Sequence, residues 1–214
     1  KLTEIKDLSK EFGAVLIFDE ICSGFRVDLG GAQKLFGVVP DLTCLGKAVA
    51  NGMPLSIITG RADIMGEFEN VFVSGTFAGE TLSIAAAIAT INKLEKCNVP
   101  HVINIKGGKL RAGVNNLIER SNLSDYIKIA GHNSWQFINI LPHSNGTAIE
   151  MRTFMMRKLL DFGALIIASH NISYAFSEAN EAITLLAYDF ALGELSSALA
   201  KGPLLDSLDC EVMQ

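Results

Sequence analysis

A short apolar run, Ala14-Val15-Leu16-Ile17-Phe18, sets the strongest constraint on how this chain folds. It follows Gly13 and is closed by two carboxylates, Asp19 and Glu20. A continuous apolar run too short for a helix predicts a strand buried on both faces. Just before it, Leu2, Ile5, Leu8 and Phe12 recur at a helical period, and Gly13 suits the position after a helix end. A helix leading into a buried strand predicts α/β layering. Ligands of open α/β sheets bind beyond the carboxyl ends of the strands, which makes Asp19 a candidate functional carboxylate. A strand also ends in Asp simply because a loop begins there, so position alone does not decide between the two.

The second candidate is Lys47. It follows Gly46 and precedes the segment Ala48-Val49-Ala50-Asn51-Gly52-Met53-Pro54. Glycines around a lysine let the backbone turn tightly and approach a ligand closely. A lysine held there, partly desolvated, serves as an imine former and then as a proton shuttle; the alternative is an ordinary solvated lysine. A phosphate-binding Walker loop is excluded, because Asp41 stands where its first glycine is required and Ala48 where its Ser or Thr is required. A third reading, a nicotinamide dehydrogenase, is disfavoured because no G-x-G-x-x-G follows a strand.

The rest of the chain alternates between helix and strand signals. Short helices are predicted over Ala32 to Phe36 and Ala62 to Phe68, and strands over Leu42 to Leu45 and Leu55 to Thr59. Thr81 to Leu94, rich in Ala and Ile, predicts a buried helix. Asn98-Val99-Pro100 is the candidate boundary, with Pro100 in the first turn of a helix running to about Arg120. The Gly107-Gly108 pair weakens that helix by roughly 1 kcal/mol per glycine. Beyond it the pattern predicts strands at Ile127 to Ala130, Trp135 to Leu141 and Ala164 to Ile167, and helices over Met151 to Phe162 and from Glu178 onward. Trp135 and Phe137 fall on one strand face and are read as core residues.

Charge and composition exclude several classes. The net charge of -5 over 214 residues, without a Lys/Arg block, argues against nucleic-acid binding. No uninterrupted apolar run approaches the roughly 18 residues of a membrane span. Cys22, Cys44, Cys97 and Cys210 are scattered and read as free thiols in a reducing, cytoplasmic compartment. They and His101, His132, His143 and His170 lack metal-ligand spacing, so no metal is expected. The apolar share of 49% hints at a subunit interface or a missing partner half. No signal peptide is expected.

Four motifs occur in order: Phe18-Asp19-Glu20-Ile21-x-x-Gly24-Phe25-Arg26, then Pro40-Asp41-Leu42-x-x-Leu45-Gly46-Lys47, then Asn51-Gly52-Met53-Pro54-Leu55, then Ser74-Gly75-Thr76-Phe77. Together they resemble the class III family of pyridoxal-phosphate-dependent aminotransferases. The stretch from Gly24-Phe25-Arg26 to Gly30-Gly31-Ala32-Gln33 is most similar to its glutamate-1-semialdehyde aminomutase branch. The resemblance runs through essentially the whole chain and is sharpest from Phe18 to Phe77.

The resemblance implies an α/β fold. Residues 1–99 would be the C-terminal half of a fold-type I large domain, a mostly parallel sheet flanked by helices, and 100–214 a small C-terminal α/β domain. It implies pyridoxal 5'-phosphate as cofactor. Asp19 would pair with the pyridinium nitrogen, Ile21 would pack on a ring face, and Lys47 would form the Schiff base. Gly75 and Thr76 would hold the phosphate of a neighbouring subunit, so a homodimer is implied. Partners would be a small amino donor and a carbonyl acceptor, with no nucleic acid and no membrane.

Arg26 either anchors a carboxylate or braces its loop. His170 and Asn171, in Ala168-Ser169-His170-Asn171-Ile172-Ser173, are weak candidates for the substrate border. That segment lacks the Phe-Glu-Ala-Gly-Phe-type stretch of the aminomutases, which favours a plain transaminase over a mutase. Complete members of the family are about twice this length, so the chain is expected to be a fragment of a longer enzyme. The contrasting reading is a non-catalytic half-enzyme acting as an interaction module.

Overall fold

In a computed structural model the described residues are 1–213. The chain divides into two compact units, the first from Lys1 to Val102 and the second from Ile103 onward.

The first unit opens with helix α1 (Leu2–Glu11), followed by strand β1 (Ile17–Asp19). Helix α2 (Gly31–Phe36) leads to strands β2 (Leu42–Leu45) and β3 (Ile57–Gly60). Helices α3 (Ala62–Met65) and α4 (Thr81–Lys96) follow. The sheet order is β1-β2-β3, with β1 parallel and β3 antiparallel to β2. Register is fixed at the strand entrances. Asp41 N donates to Leu16 O at 2.8 Å, and Leu16 N donates back to Asp41 Oδ2 at 2.9 Å. Arg61 Nη1 donates to the other oxygen of Asp41 at 2.9 Å, which holds the Asp41 carboxyl below the usual carboxylate range.

Two burial expectations are corrected here. The Ala14–Phe18 run does not form a strand covered on both faces. Only Ile17 and Phe18 of it are in β1, which is a sheet edge, and Val15 and Ile17 are about half exposed. Likewise α4 buries only Ser83 and Ala87, while Leu82, Ile84 and Ile88 face outward. The physical reason is common to both: the residues of this unit do not supply the layers that such apolar faces demand. Its own core is small, with Val49, Ala50 and Ala87 packed against Phe25, Met53, Leu55, Ile57 and Ile91.

Helix α5 (Val99–Arg120) begins in the first unit and continues in the second. The second unit then holds the hairpin β4 (Ile127–His132) and β5 (Trp135–Ile140), helix α6 (Ala148–Asp161), strand β6 (Ser169–Asn171) and helix α7 (Glu178–Lys201). Its antiparallel sheet has the order β4-β5-β6. Both later helices start at capping boxes: Thr147 with Glu150, and Ser177 with Asn180. α6 buries Met151, Phe154, Met155 and Leu159, and α7 buries a stripe from Ala187 to Leu199. Among the described residues α7 alone is long and apolar enough to cross a bilayer; its stripe is that of a core helix packed on α6.

Period-2 alternation in β5 buries Gln136, Ile138 and Ile140. Trp135 and Phe137, expected in the core, therefore stand on the opposite and more open face, ring to ring at 5.0 Å. No strand forms over Ala164 to Ile167, where Leu165 and Ile167 are exposed. Pairing with β5 starts only at Ser169, opposite Phe137.

Gln136 sits in a buried polar chain whose proton positions follow from donor bookkeeping. Its Nε2 donates to Gly107 O at 2.6 Å and to Asn133 O at 2.8 Å. Its Oε1 is then an acceptor, so His170 Nδ1 donates to it at 3.0 Å. The remaining His170 nitrogen, Nε2, accepts from the Tyr188 hydroxyl at 2.6 Å. This removes His170 from any substrate border: it is a neutral core histidine, while Asn171 lies exposed on β6. Burial, with a smaller contribution from the Arg111 charge, pushes the His170 pKa down to about 4. Burial also holds the Tyr188 phenol well above its usual range.

The unfolded chain protonates His170 near its ordinary value of 6.5. As pH falls from about 6.5 to 4 the unfolded state gains a proton that the folded state does not, so stability drops. The full loss is about 3 kcal/mol. Urea unfolding followed by Trp135 fluorescence at pH 7 and pH 4.5 measures it. His170→Gln should flatten the slope over that window; an unchanged slope would contradict the assignment.

Candidate active site

The parallel pairing of β1 with β2 places the residues after both strands side by side. Asp19 lies opposite Cys44, and Glu20 N donates to Cys44 O at 2.9 Å, one step beyond the strand. Alternation along the backbone then separates the two carboxylates: Asp19 is exposed and Glu20 is 1% exposed. Asp19 Oδ1 accepts from Ile21 N at 3.0 Å, which fixes the turn leaving the strand.

Glu20 organises the loop after β1. Its Oε1 accepts from Gln33 N, in the first turn of α2, at 2.9 Å. Its Oε2 accepts from the Ser23 hydroxyl in a short contact. Gly31 packs so closely on this carboxylate, at φ +70°, that a Cβ there would lie 2.6 Å from Glu20 Oε1. Sequence reading alone does not single out Glu20. The signal is nevertheless present in the Asp-Glu pair at a strand end, since alternation must turn one of the two inward.

Lys47 opens a one-turn 3-10 helix, Lys47–Val49, directly after Gly46. Its φ of +41° lies in the left-handed region, a strain of about 1–3 kcal/mol for a residue with a Cβ. Packing two residues further on holds that strain: Val49 is fully buried against α4, with Ala87 and Ile91 around it. Ile21 covers Gly46 from the neighbouring strand end; a Cβ on Gly46 would be 3.5 Å from Ile21 Cγ2. The Lys47 side chain is exposed, which corrects the expectation of a partly desolvated amine, and its Nζ donates to Cys22 Sγ at 2.9 Å. Arg26 is partly buried in the same loop. Burial lowers its pKa.

The fold therefore places Asp19, Ile21 and Lys47 at the carboxyl ends of the neighbouring strands β1 and β2. Gly75 and Thr76 stand elsewhere, in an exposed turn closed by the bond from Ala78 N to Gly75 O at 3.0 Å. The two strand ends offer a carboxylate, a branched apolar side chain and a primary amine, and no group of three or more potential metal ligands occurs among the described residues.

Comparison with known proteins gives the family. The family profile "Aminotransferase class-III" matches residues 1–177. A 3-aminobutyryl-CoA aminotransferase of Cloacimonas acidaminovorans (strain Evry) is 34% identical over 201 residues, 92% of this chain and 48% of the relative. A glutamate-1-semialdehyde 2,1-aminomutase of Methanosarcina acetivorans is 36% identical over 199 residues, 87% of this chain and 47% of the relative. The chain thus spans about half the length of the curated relatives it matches. The solved structure of the PLP internal aldimine form of the Sphingopyxis sp. MTA144 FumI protein matches 97% of this chain and 50% of its own. Its TM-score is 0.83 at 26% identity. The profile covers most of the chain and the relatives are alike over nearly all of it, and the chain belongs to the class-III aminotransferases.

Proposed function

We propose that this chain is the C-terminal part of a pyridoxal-phosphate-dependent aminotransferase that moves an amino group between a small amino donor and a carbonyl acceptor. The observation that carries the reading is the meeting of Asp19, Ile21 and Lys47 at the carboxyl ends of two parallel strands. The donor set fits the cofactor: an exposed carboxylate for a pyridinium nitrogen, an apolar branched side chain for a ring face, and an exposed amine for an aldehyde.

Pyridoxal phosphate, when bound, supplies an aldehyde for covalent attachment and a ring that takes up the electron pair left at the substrate carbon. Asp19 would hold a proton on the ring nitrogen through a charge-assisted hydrogen bond. Ile21 would keep water from one ring face. Lys47 would be the point of attachment, and its Nζ would take the substrate's α proton and return it. The strained backbone at Lys47 fixes the point from which that amine reaches. Gly75 and Thr76 are assigned to the phosphate of a second copy, in a homodimer. The first unit is read as half of the cofactor-binding domain and the second as the small domain. The uncovered apolar faces of β1 and α4 are where the rest of a longer chain would pack. Free thiols at all four cysteines support a reducing, cytoplasmic setting.

A second reading, glutamate-1-semialdehyde 2,1-aminomutase, is supported by relatives of that name, among them one from Methanococcoides burtonii that is 40% identical over 129 residues. The two readings share every residue role above and differ in whether the amino group leaves the substrate. Assay of the full-length protein with amino donors and keto acids separates them. In either case Asp19→Ala should lower kcat by roughly 10²-fold or more with the cofactor still attached, because only the electron uptake loses its support. An Asp19→Ala protein with unchanged kcat would overturn the role.

A further inference from the structure

The loop after β1 carries a thiol that the proposed reaction does not use. Cys22 Sγ accepts a hydrogen bond from Lys47 Nζ at 2.9 Å, in a solvent-exposed setting. The partly buried Arg26 belongs to the same loop. A sulfur in contact with an ammonium, in an accessible loop, is in the electropositive setting that favours reaction of cysteine with oxidants. Both ends of the pair are fixed by the backbone. Glu20 N binds Cys44 O and Gly24 N binds Glu20 O on one side, and buried Val49 anchors the other. Once oxidised to a sulfenic acid, a cysteine condenses with a neighbouring nitrogen. Here the nitrogen is a primary amine already in contact.

We propose that Cys22 and Lys47 form a peroxide-sensitive modification site, in which Sγ and Nζ become joined by a reversible S–N bond. In the first step the Cys22 thiolate attacks hydrogen peroxide. An S–O bond forms, the O–O bond breaks, water leaves, and sulfur loses two electrons to the peroxide. In the second step the Lys47 amine attacks that sulfur. The S–N bond forms, the S–O bond breaks, and hydroxide leaves as water with the amine proton. Overall, one thiol, one amine and one peroxide give one S–N link and two waters. A dithiol reverses the link by attack on sulfur. Its consequence, loss of the amine needed for cofactor attachment, rests on the proposed function; the link itself does not.

The test is mild hydrogen peroxide on the full chain, followed by intact mass and a non-reducing tryptic map. The chain should become lighter by two hydrogens and return to its starting mass with dithiothreitol. The map should join residues 11–26 to residues 35–61 with no cut after Lys47. Cys44→Ser should keep the link. Cys22→Ser and Lys47→Arg should lose it, with Lys47→Arg leaving a sulfenic acid that dimedone traps. Circular dichroism of each variant confirms that it is folded. A Cys22 that stops at sulfenic acid in the unmodified sequence would overturn the proposal. So would a link that leaves the cut after Lys47 intact, which would mark a Cys22–Cys44 disulfide. Parallel labelling of the reduced chain with pyridoxal phosphate and borohydride separates the two ideas. A link without labelling would defeat the proposed function alone, and labelling without a link would defeat this proposal alone.

Discussion

Replacing Lys47 by alanine in the full-length protein is expected to lower turnover by roughly 10³-fold or more, the scale of removing a nucleophile that is also the general base. In the proposed reaction two functions would sit on one atom, Lys47 Nζ, and no other side chain at the ends of β1 and β2 would supply both. Asp19 could hold a proton on a ring nitrogen but could not form the covalent attachment. The fold should survive. The Lys47 side chain is exposed, and the turn is held by Val49, so stability should change by no more than about 0.5 kcal/mol. Urea unfolding beside the turnover assay checks both halves. A stable Lys47→Ala protein with more than about a tenth of the starting turnover would contradict the assignment.

The largest stability effect is expected at Gly107. A Cβ there would stand 1.9 Å from Asn133 O and 2.7 Å from its carbonyl carbon, both backbone atoms that cannot swing aside. The same approach lets Gln136 Nε2 reach Gly107 O at 2.6 Å, so pushing the β4–β5 turn away from α5 also breaks into the buried chain through His170 and Tyr188. Gly107→Ala should therefore destabilise the second unit by about 3 kcal/mol, the upper range for overpacking. Gly108 is the control. A Cβ there meets only the end of the Asn133 side chain, at 3.3 Å from Nδ2. Gly108→Ala should be near neutral, with a helix-propensity gain of up to about 1 kcal/mol set against that contact. Denaturant midpoints of the two single variants measure the contrast; equal effects would contradict the close-approach account.

These glycines show where sequence reading reaches its limit. Read as a string, Gly107-Gly108 is a weakness inside a helix. In the fold, the first glycine is the site of close contact between α5 and a hairpin turn that comes about 25 residues later. That contact is long-range and leaves no local trace. The same holds for Cys22 beside Lys47, and for His170, whose burial depends on Gln136 and Tyr188.

Locally encoded features were legible. The helix at 2–11, the strand at Leu42–Leu45 and the helix from Glu178 match period and punctuation closely. The capping signals Thr147-x-x-Glu150 and Ser177-x-x-Asn180 are also local; reading the first would have started α6 at Ala148 rather than at Met151. Apolar pattern overstates cover at Val15, Ile17, Ile84 and Ile88, which are exposed. Pattern reports what a face requires, and cover depends on the layers that are present. At the site, the order of motifs marks Asp19 and Lys47 at once. Their meeting needed the parallel register of Asp19 with Cys44, which only the folded chain shows.

The most direct measurement is borohydride reduction of the full-length protein after addition of pyridoxal phosphate, followed by tryptic mapping. A single labelled site is expected, Lys47, carried on residues 35–61 because the label blocks cleavage after that lysine. Label on another lysine, or spread thinly over exposed ones such as Lys34 and Lys93, would contradict it.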